Sequence, residues 1–367
     1  MQFTLQREAL LKPLQQVINV VEKRQSMPVL GNLLVRVDAD GLSLTGSDSE
    51  VEMSARTVLE TASTEGETTV PARKFFDIVR SLPDGATVKF DLSADRATVR
   101  AGRSRFTLAT LPASDFPLAD DLEVEQRVRM TEGNLSFVIE RTAFAMAQQD
   151  VRYYLNGLLF DLEGSRLRAV ATTGHRMALC EAELEAAVTA HRQLILPRKG
   201  VLELQRLFDG ADRAIVLEVG RSLLRVRRED VTFTSKLIEG RFPDYNAVIP
   251  IGVDKRALID REALKAALQR VAILSNEKYR GVKLEFSPNQ LRIAAHNPEQ
   301  EEAVEEIDIE TSIDQLSVGF NVVYMLETIN SLRDETVSLS LRDANSSALV
   351  QEGSNTRTRH VVMPMRL

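Results

Sequence analysis

At 367 residues, 44% hydrophobic and 27% charged, the chain is longer than one hydrophobic core serves and is expected to fold as two or three domains. Its 18 Gly and 12 Pro are dispersed, which excludes a low-complexity chain, and its one cysteine, Cys180, excludes an internal disulfide and any multi-cysteine metal site. A net charge of −7 argues against nucleic acid unless positive charge is segregated locally.

In chain order, the opening MQFTLQREALLKPL interrupts its apolar pattern with Arg7, Glu8 and Lys12. It lacks the continuous apolar core of a secretory signal, and no later run approaches a membrane span, so a cytoplasmic location without membrane contact is expected. Residues 7–24 have helical apolar spacing, with Pro13 set to kink or shorten the helix. GNLLVRVDADGLSLTGSD reads as strand, polar turn, strand, which is a hairpin. ARKFFDIVRSL, residues 72–82, is a second helix. GRSRFTLATL then alternates, with Arg103 and Arg105 on one side and Phe106 and Leu108 on the other. Such a strand is either half buried or part of an interface.

The same order then recurs. EGNLSFVIERTAFAMA, the hairpin NGLLFDLEGSRLRAVATTG and the helix RKGVLELQRLF form a second unit. REALKAALQRVAIL, GVKLEFSPNQLRIAAHN and FNVVYMLETINSL form a third. Leu82, Leu207 and Leu332 are 125 residues apart, as are Asp84, Asp209 and Asp334, and Gly31, Gly157 and Gly281 are 126 and 124 apart. A period this long indicates duplicated domains rather than a thin solenoid. Pro, Asp and Gly gather in LPASDFPLADD and GRFPDYNAVIPIG, which sets the domains at 1–122, 123–250 and 251–367. Two helices against many short strands in each unit predict an α+β fold, with helices covering one face of antiparallel sheets.

The six predicted helices carry 16 basic against 9 acidic residues, so the helices hold +7 and the rest of the chain −14. Lys and Arg are good helix formers, but helix propensity alone would enrich Glu equally. A shared positive face suits a polyanion held by its phosphates and not read by its bases, since no helix-turn-helix, zinc finger or stacking platform is present. The stretch NPEQEEAVEEIDIE, residues 297–310, has seven acidic residues and no basic one, and opposes the Arg103 and Arg105 strand in charge. Opposite charges at opposite ends of a chain suit a heterologous contact. In TTGHRMALCEAEL, Cys180 alternates with apolar residues and reads as a small buried hydrophobe; the sharper alternative is a nucleophile beside His175. The closing HVVMPMRL is apolar and must be tied down, with pairing expected from His360 to Met363 and weakened at Pro364. Met365, Arg366 and Leu367 are then left near the surface.

VPARKFFDI, QDVRYYLNGLLF, LPRKG, FTSKLIEGRFPDY, ILSNEKYRGVKL, NPEQEEA and VVMPMRL closely resemble the beta subunit of bacterial DNA polymerase III, the sliding clamps, from Met1 to Leu367. The resemblance implies three clamp domains in a crescent, and two crescents closed head to tail into a homodimeric ring around double-stranded DNA. It implies topological tethering with no catalytic residue, metal or cofactor. DNA contact carries over to Arg24, Arg73, Gln149, Tyr153, Tyr154, Arg198 and Lys199. The dimer interface carries over to Lys74, Arg103, Arg105, Phe106, Leu108, Ile273, Leu274, Glu302 and Glu305.

A cleft for short hydrophobic motifs carries over to Leu155, Thr172, Gly174, His175, Arg176, Met177, Pro243 and Val248, with Val361, Met363, Pro364, Met365, Arg366 and Leu367. Its clients would be the polymerase alpha subunit, the clamp loader delta subunit, other DNA polymerases and repair proteins. Thr173, Met177, His360, Asn246 and Ala247 depart from the common family pattern around this cleft. Two other classes compete. An enzyme centred on His175 and Cys180 would need a phosphate loop, metal motif or nucleophile elbow, and the sequence carries none of them. A protein-interaction scaffold that never meets DNA would show no salt-dependent retention on circular DNA.

Overall fold

The structure is a computed structural model and describes residues 1–22, 27–353 and 355–367. The first repeat runs β1 (Gln2–Gln6), α1 (Arg7–Val17), β2 (Asn32–Asp38), β3 (Gly41–Ser47), β4 (Val51–Thr57), β5 (Gly66–Pro71), α2 (Ala72–Ser81), β6 (Thr87–Ser93), β7 (Arg96–Ala101) and β8 (Ser104–Ala109). The second runs β9 (Gln126–Thr131), α3 (Glu132–Thr142), β10 (Gly157–Glu163), β11 (Arg166–Thr172), β12 (Arg176–Glu183), β13 (Arg192–Pro197), α4 (Arg198–Leu207), β14 (Ala214–Val219), β15 (Leu223–Arg227) and β16 (Val231–Lys236). The third runs β17 (Lys255–Asp260), α5 (Arg261–Val271), β18 (Gly281–Ser287), β19 (Gln290–His296), β20 (Glu302–Asp308), β21 (Glu310–Thr311), β22 (Leu316–Asn321), α6 (Val322–Ser331), β23 (Thr336–Leu341), β24 (Ala348–Glu352) and β25 (Thr358–Val362). Apart from the short β21, each strand and α-helix has a counterpart at the same place in the other two repeats.

The helices form where the apolar spacing demands them. Helix α1 buries Leu10, Pro13, Leu14 and Val17, and α5 buries Leu264, Ala267, Leu268 and Val271, both at the period of one helix face. Asp260 caps α5 by accepting from the Ala263 N–H at 2.7 Å, and Asn321 caps α6 by accepting from Val323 and Tyr324 at 2.9 and 3.2 Å. The first helix is shorter than its apolar pattern over 7–24. It keeps Pro13 on the core face, where a donor is lost, and stops at Val17. The following Ile18, Val20 and Val21 are buried in a turn, and a run this rich in β-branched residues favours helix poorly.

The strands form four antiparallel sheets, with orders β1-β6-β7-β8, β5-β2-β3-β4-β16-β15-β14-β9, β13-β10-β11-β12-β25-β24-β23-β17-β21 and β20-β19-β18-β22. Each repeat therefore supplies two four-stranded halves. Two junctions between repeats are edge pairings inside the chain: β4 with β16, from Ala55 opposite Val231 to Val51 opposite Ser235, and β12 with β25, from Arg176 opposite Val362 to Cys180 opposite Thr358. Because these pairings resemble those within a repeat, the compact units of the chain do not follow the repeats. One unit comprises 1–133 with 202–237, and the other 134–201 with 238–367.

In the first unit, Phe3 and Phe90 stack at 4.8 Å with Phe75 edge-on to Phe90 at 5.9 Å. A carboxylate, Glu132, is buried in this unit and satisfied by Arg213 at 2.8 and 3.0 Å, Arg228 at 3.1 Å and the Asp209 N–H at 3.0 Å. In the second unit, α5 and α6 press Leu268, Val271, Met325 and Ile329 onto Leu284, Ile293, Val318 and Phe320.

His360 on β25 is fully buried, edge-on to Phe144 at 5.6 Å and 3.1 Å from the Ser331 hydroxyl. Burial, and then the Arg141 guanidinium, push its imidazole down to about 3. Below the ordinary value of about 6.5 the unfolded chain therefore takes up a proton that the folded chain refuses, so stability falls as pH drops through this window. His360→Phe is expected to remove that fall. The parent Tm should drop more steeply than the variant's between pH 7 and 4.5, and parallel curves would contradict the assignment.

Candidate functional site

Three regions of the fold carry the site residues expected from the sequence. The first is the start of the second helix in each of the first two repeats. Within the observed helix bounds there are twelve basic and seven acidic residues. Many of the cations serve locally: Arg7 donates to Asp84 at 2.7 Å, Lys12 pairs with Asp230 at 2.9 Å, and buried Arg141 lies 3.7 Å from Glu352.

The pair Arg73 and Lys74 opens α2, and Arg198 and Lys199 open α4; neither first turn contains an acidic residue. A helix N-terminus is already the positive end of the macrodipole, so cations there do not serve helix stability, and together with the free N–H groups they attract an anion. Arg73 and Lys74 are exposed, although Arg73 also donates to the Val21 carbonyl at 3.2 Å. Arg198 and Lys199 are half-buried, and one Arg198 Nη is buried with no hydrogen-bond partner among the described residues. Gln149 is exposed and held at φ 54°. Tyr153 and Tyr154 meet edge to face at 5.8 Å, Tyr153 exposed and Tyr154 half-buried. Arg24 lies outside the described residues.

The second feature is an apolar cluster in the second unit that carries the residues expected to form the cleft. Leu155, Met177 and Val361 share a cluster with Leu159, Val170, Leu179, Phe242, Tyr245 and Leu349. The β11–β12 turn rises at its end: the Thr172 hydroxyl donates to the Arg176 carbonyl at 2.6 Å and accepts from the Gly174 N–H at 3.0 Å. Gly174 has φ 89°, and a Cβ there would stand 3.1 Å from the Arg152 guanidinium. Arg152 clamps the turn, donating to the Thr173 carbonyl at 3.1 Å while bound twice by Asp150 at 2.9 and 3.0 Å. That ion pair holds the Asp150 carboxyl down at about 2, through the Arg152 side chain first and its backbone N–H second.

Past β25 the Met363 N–H still pairs with the His175 carbonyl at 3.0 Å, and His175, Pro243, Val248 and Met363 are exposed around the cluster. Pro364 interrupts the ladder, and Met365 then donates to the Gly319 carbonyl of β22 at 2.9 Å. Leu367 lies over Gly281 and Gly319, where added Cβ atoms would meet it at 2.2 and 2.8 Å. The last three residues are thus surface-near but fastened. With Asn276, Tyr279 and His296, Met365, Arg366 and Leu367 line a pocket of about 380 Å³. Arg176 turns inward: it pairs with Glu327, donates to the Phe144 carbonyl at 2.8 Å and lies over the Phe144 and Tyr324 rings at 5.2 and 4.6 Å.

The third feature is a pair of open sheet edges, β8 and β20. On β8, Arg105 is exposed, Phe106 half-buried and Leu108 buried, with Arg103 exposed in the turn before it. On β20, every second residue is exposed, including Glu302, Val304, Glu306 and Asp308. Glu305 accepts from Arg270 at 2.6 and 2.8 Å. Ile273, 76% exposed, and half-buried Leu274 sit in the 3-10 turn that follows α5.

Two residues escaped sequence reading. Arg152 had a usable signal in Asp150-x-Arg152, a spacing that lets a carboxylate hold a guanidinium, and Gly319 inside a strand signals a close approach. Cys180 sits in the β12·β25 junction, 3.8 Å from the Thr358 hydroxyl, and burial pushes its thiol up to about 12, the reverse of what a nucleophile needs. No group of three or more His, Cys, Asp or Glu that could hold a metal occurs among the described residues.

Comparison with known proteins accounts for this arrangement. Models of the DNA polymerase III beta subunit match in three parts: the N-terminal domain over residues 1–120, the central domain over 129–244 and the C-terminal domain over 246–366. The chain is 51% identical to the beta sliding clamp of Salmonella typhimurium and 50% identical to that of Escherichia coli K12, each over 367 residues and the whole of both chains. Among solved structures, the sliding clamp of Pseudomonas aeruginosa bound to griselimycin matches with a TM-score of 0.98 at 50% identity, covering both chains fully. That of Bartonella birtlesii bound to griselimycin matches with a TM-score of 0.95 at 33% identity, again covering both chains fully. Triplicated domains, cationic helix starts and full-length identity lead to one conclusion: the chain belongs to the DNA polymerase III beta subunit family, the beta sliding clamps.

Proposed function

We propose that two copies of this chain close head to tail, β8 of each pairing with β20 of the other, into a ring that slides on duplex DNA in the bacterial cytoplasm. Family membership makes the protein a sliding clamp, a processivity factor that binds DNA and polymerase partners and has no catalysis of its own. The observation that carries the closure is the repetition of edges. By position in the repeats β4, β12 and β20 are equivalent, as are β16, β25 and β8, and the first two equivalent pairs are joined inside the chain. The third pair, β20 with β8, is left over. An uncovered edge is a liability that a second copy removes. Glu302 would face Arg103 and Arg105, and Phe106 and Leu108 would meet Ile273 and Leu274, with Lys74 at the rim; Glu305, expected beside Glu302, lies on the other face of β20, where Arg270 holds it. Burying Ile273 alone contributes about 1.5–3 kcal/mol. The domains are taken as 1–122, 123–250 and 251–367.

Sliding requires a weak and sequence-blind grip, because strong or base-specific contacts would pin the ring. The cations at the starts of α2 and α4, with Arg24, Gln149, Tyr153 and Tyr154, fit that need. The cleft built by Leu155, Thr172, Gly174, His175, Met177, Pro243, Val248, Val361 and Met363, with the fastened tail to Leu367, would capture short hydrophobic motifs of the polymerase alpha subunit, the loader delta subunit and repair proteins. In this reading Arg176 holds the cleft's wall from behind. Two solved clamps carry griselimycin, which supports ligand capture by the family.

Reversing both Arg103 and Arg105 to Glu is expected to yield monomers at submicromolar concentration by analytical ultracentrifugation, and an intact dimer would remove the β8 assignment. Replacing Arg73, Arg198 and Lys199 with Ala should lower DNA affinity before loading. It should also flatten the slope of log K against log salt by about 0.9 for each phosphate that is no longer neutralised. An unchanged slope would show that these residues do not meet DNA.

A further inference from the structure

Between β16 and β17 the chain forms no strand and no α-helix, only a 3-10 turn at Tyr245–Val248. Connections of that kind are usually functional, and this one presents Pro243 and Val248. Its start is tied by the Leu237 N–H to the Ser222 carbonyl at 2.8 Å and the Ile238 N–H to the Ile195 carbonyl at 2.9 Å, and its middle by Tyr245, whose phenol donates to Asp161 on β10 at 2.6 Å and also meets the Arg168 side chain. Within the segment, Asp244 accepts from the Asn246 N–H at 3.1 Å, which shapes the turn without tying it to anything else.

Asp161 is 3% exposed, and its carboxylate also meets the His191 ring at 2.6 Å and the Gln193 amide at 3.0 Å. Burial would raise this carboxyl, but the donors Tyr245, Gln193 and His191 outweigh it and hold the group below its ordinary range. Burial, and then Asp161, push the Tyr245 phenol up to about 12, so it stays a donor at neutral pH. The ring of Tyr245 packs in the same apolar cluster as Leu155, Met177 and Val361. A group with one face in the cleft floor and its hydroxyl on a buried carboxylate is placed to set the position of the outer wall.

We infer that Asp161 and Tyr245 are positioning residues for ligand capture: the phenol-to-carboxylate bond holds the Pro243–Val248 wall at the distance from Leu155 and Met363 that a bound hydrophobic ligand requires. Neither side chain needs to touch the ligand through its polar atoms. The inference rests on the cleft reading above. Preorganisation of this sort acts by lowering the ordering cost of binding, so its loss weakens affinity without abolishing the fold.

The test is calorimetric titration of the full-length protein with griselimycin, alongside the Tm and dimer mass of each variant. Tyr245→Phe is expected to weaken binding at least fivefold, with Tm within about 2 °C of the parent and an unchanged dimer. Asp161→Asn keeps an acceptor for the phenol and should bind within twofold of the parent, whereas Asp161→Leu should match Tyr245→Phe. Met363→Glu places a charge in the cleft itself. If Met363→Glu loses binding while Tyr245→Phe stays within twofold of the parent, the positioning role is overturned and the cleft stands. If Met363→Glu binds normally, the cleft reading falls and the positioning role falls with it.

Discussion

A β-strand at the rim of a sheet leaves a row of N–H and C=O groups without partners, and everything else in this molecule is arranged around where those rows are closed. Three copies of one unit present, among their other edges, three equivalent pairs able to join end to end. Two are closed within the chain, by β4 with β16 and by β12 with β25, and these closures turn separate four-stranded halves into sheets of eight and nine strands. The remaining pair stays open within the chain and is opposite in charge: an acidic alternating strand at β20, and a strand at β8 bearing Arg105 beside apolar Phe106 and Leu108. In the proposed ring, repetition within one chain sets how a second chain would be received.

The same economy governs charge. An overall acidic body that must hold DNA has to confine its cations to the surface that meets phosphate, and the helices are where the basic excess lies. Many of those cations are already engaged by neighbouring carboxylates or carbonyls, which leaves a modest field. A modest field is an advantage to a protein that must stay on DNA by enclosure and not by affinity. The proposed client capture would follow the same principle, since one cleft shared by weakly held partners permits exchange.

Much of this was legible in the sequence because periodicity reports burial directly. The helical spacing of ARKFFDIVRSL and its two counterparts, and the recurrence of Leu82, Leu207 and Leu332, are consequences of one core built three times. Strand order was not legible, since alternation reveals which face is buried and says nothing about which strand lies alongside. Helix length failed at α1 because the apolar pattern continues into a buried turn past Val17. Gly281 was read as a hairpin anchor, yet its missing side chain makes room for Leu367, 86 positions further along. The inward turn of Arg176 depends on Phe144, Tyr324 and Glu327, three residues brought together only by tertiary packing. Asp161 and Tyr245, 84 residues apart, left no local signal for the same reason.

Enclosure is the claim on which the account stands, and one measurement addresses it most directly. The protein is loaded onto nicked circular DNA by its loader at a salt concentration that abolishes simple phosphate binding, and the circle is then cut once. Retention on the intact circle followed by rapid loss through the new ends is the predicted result. Loss at the same rate before and after cutting, or retention on the linear product, would contradict a closed ring.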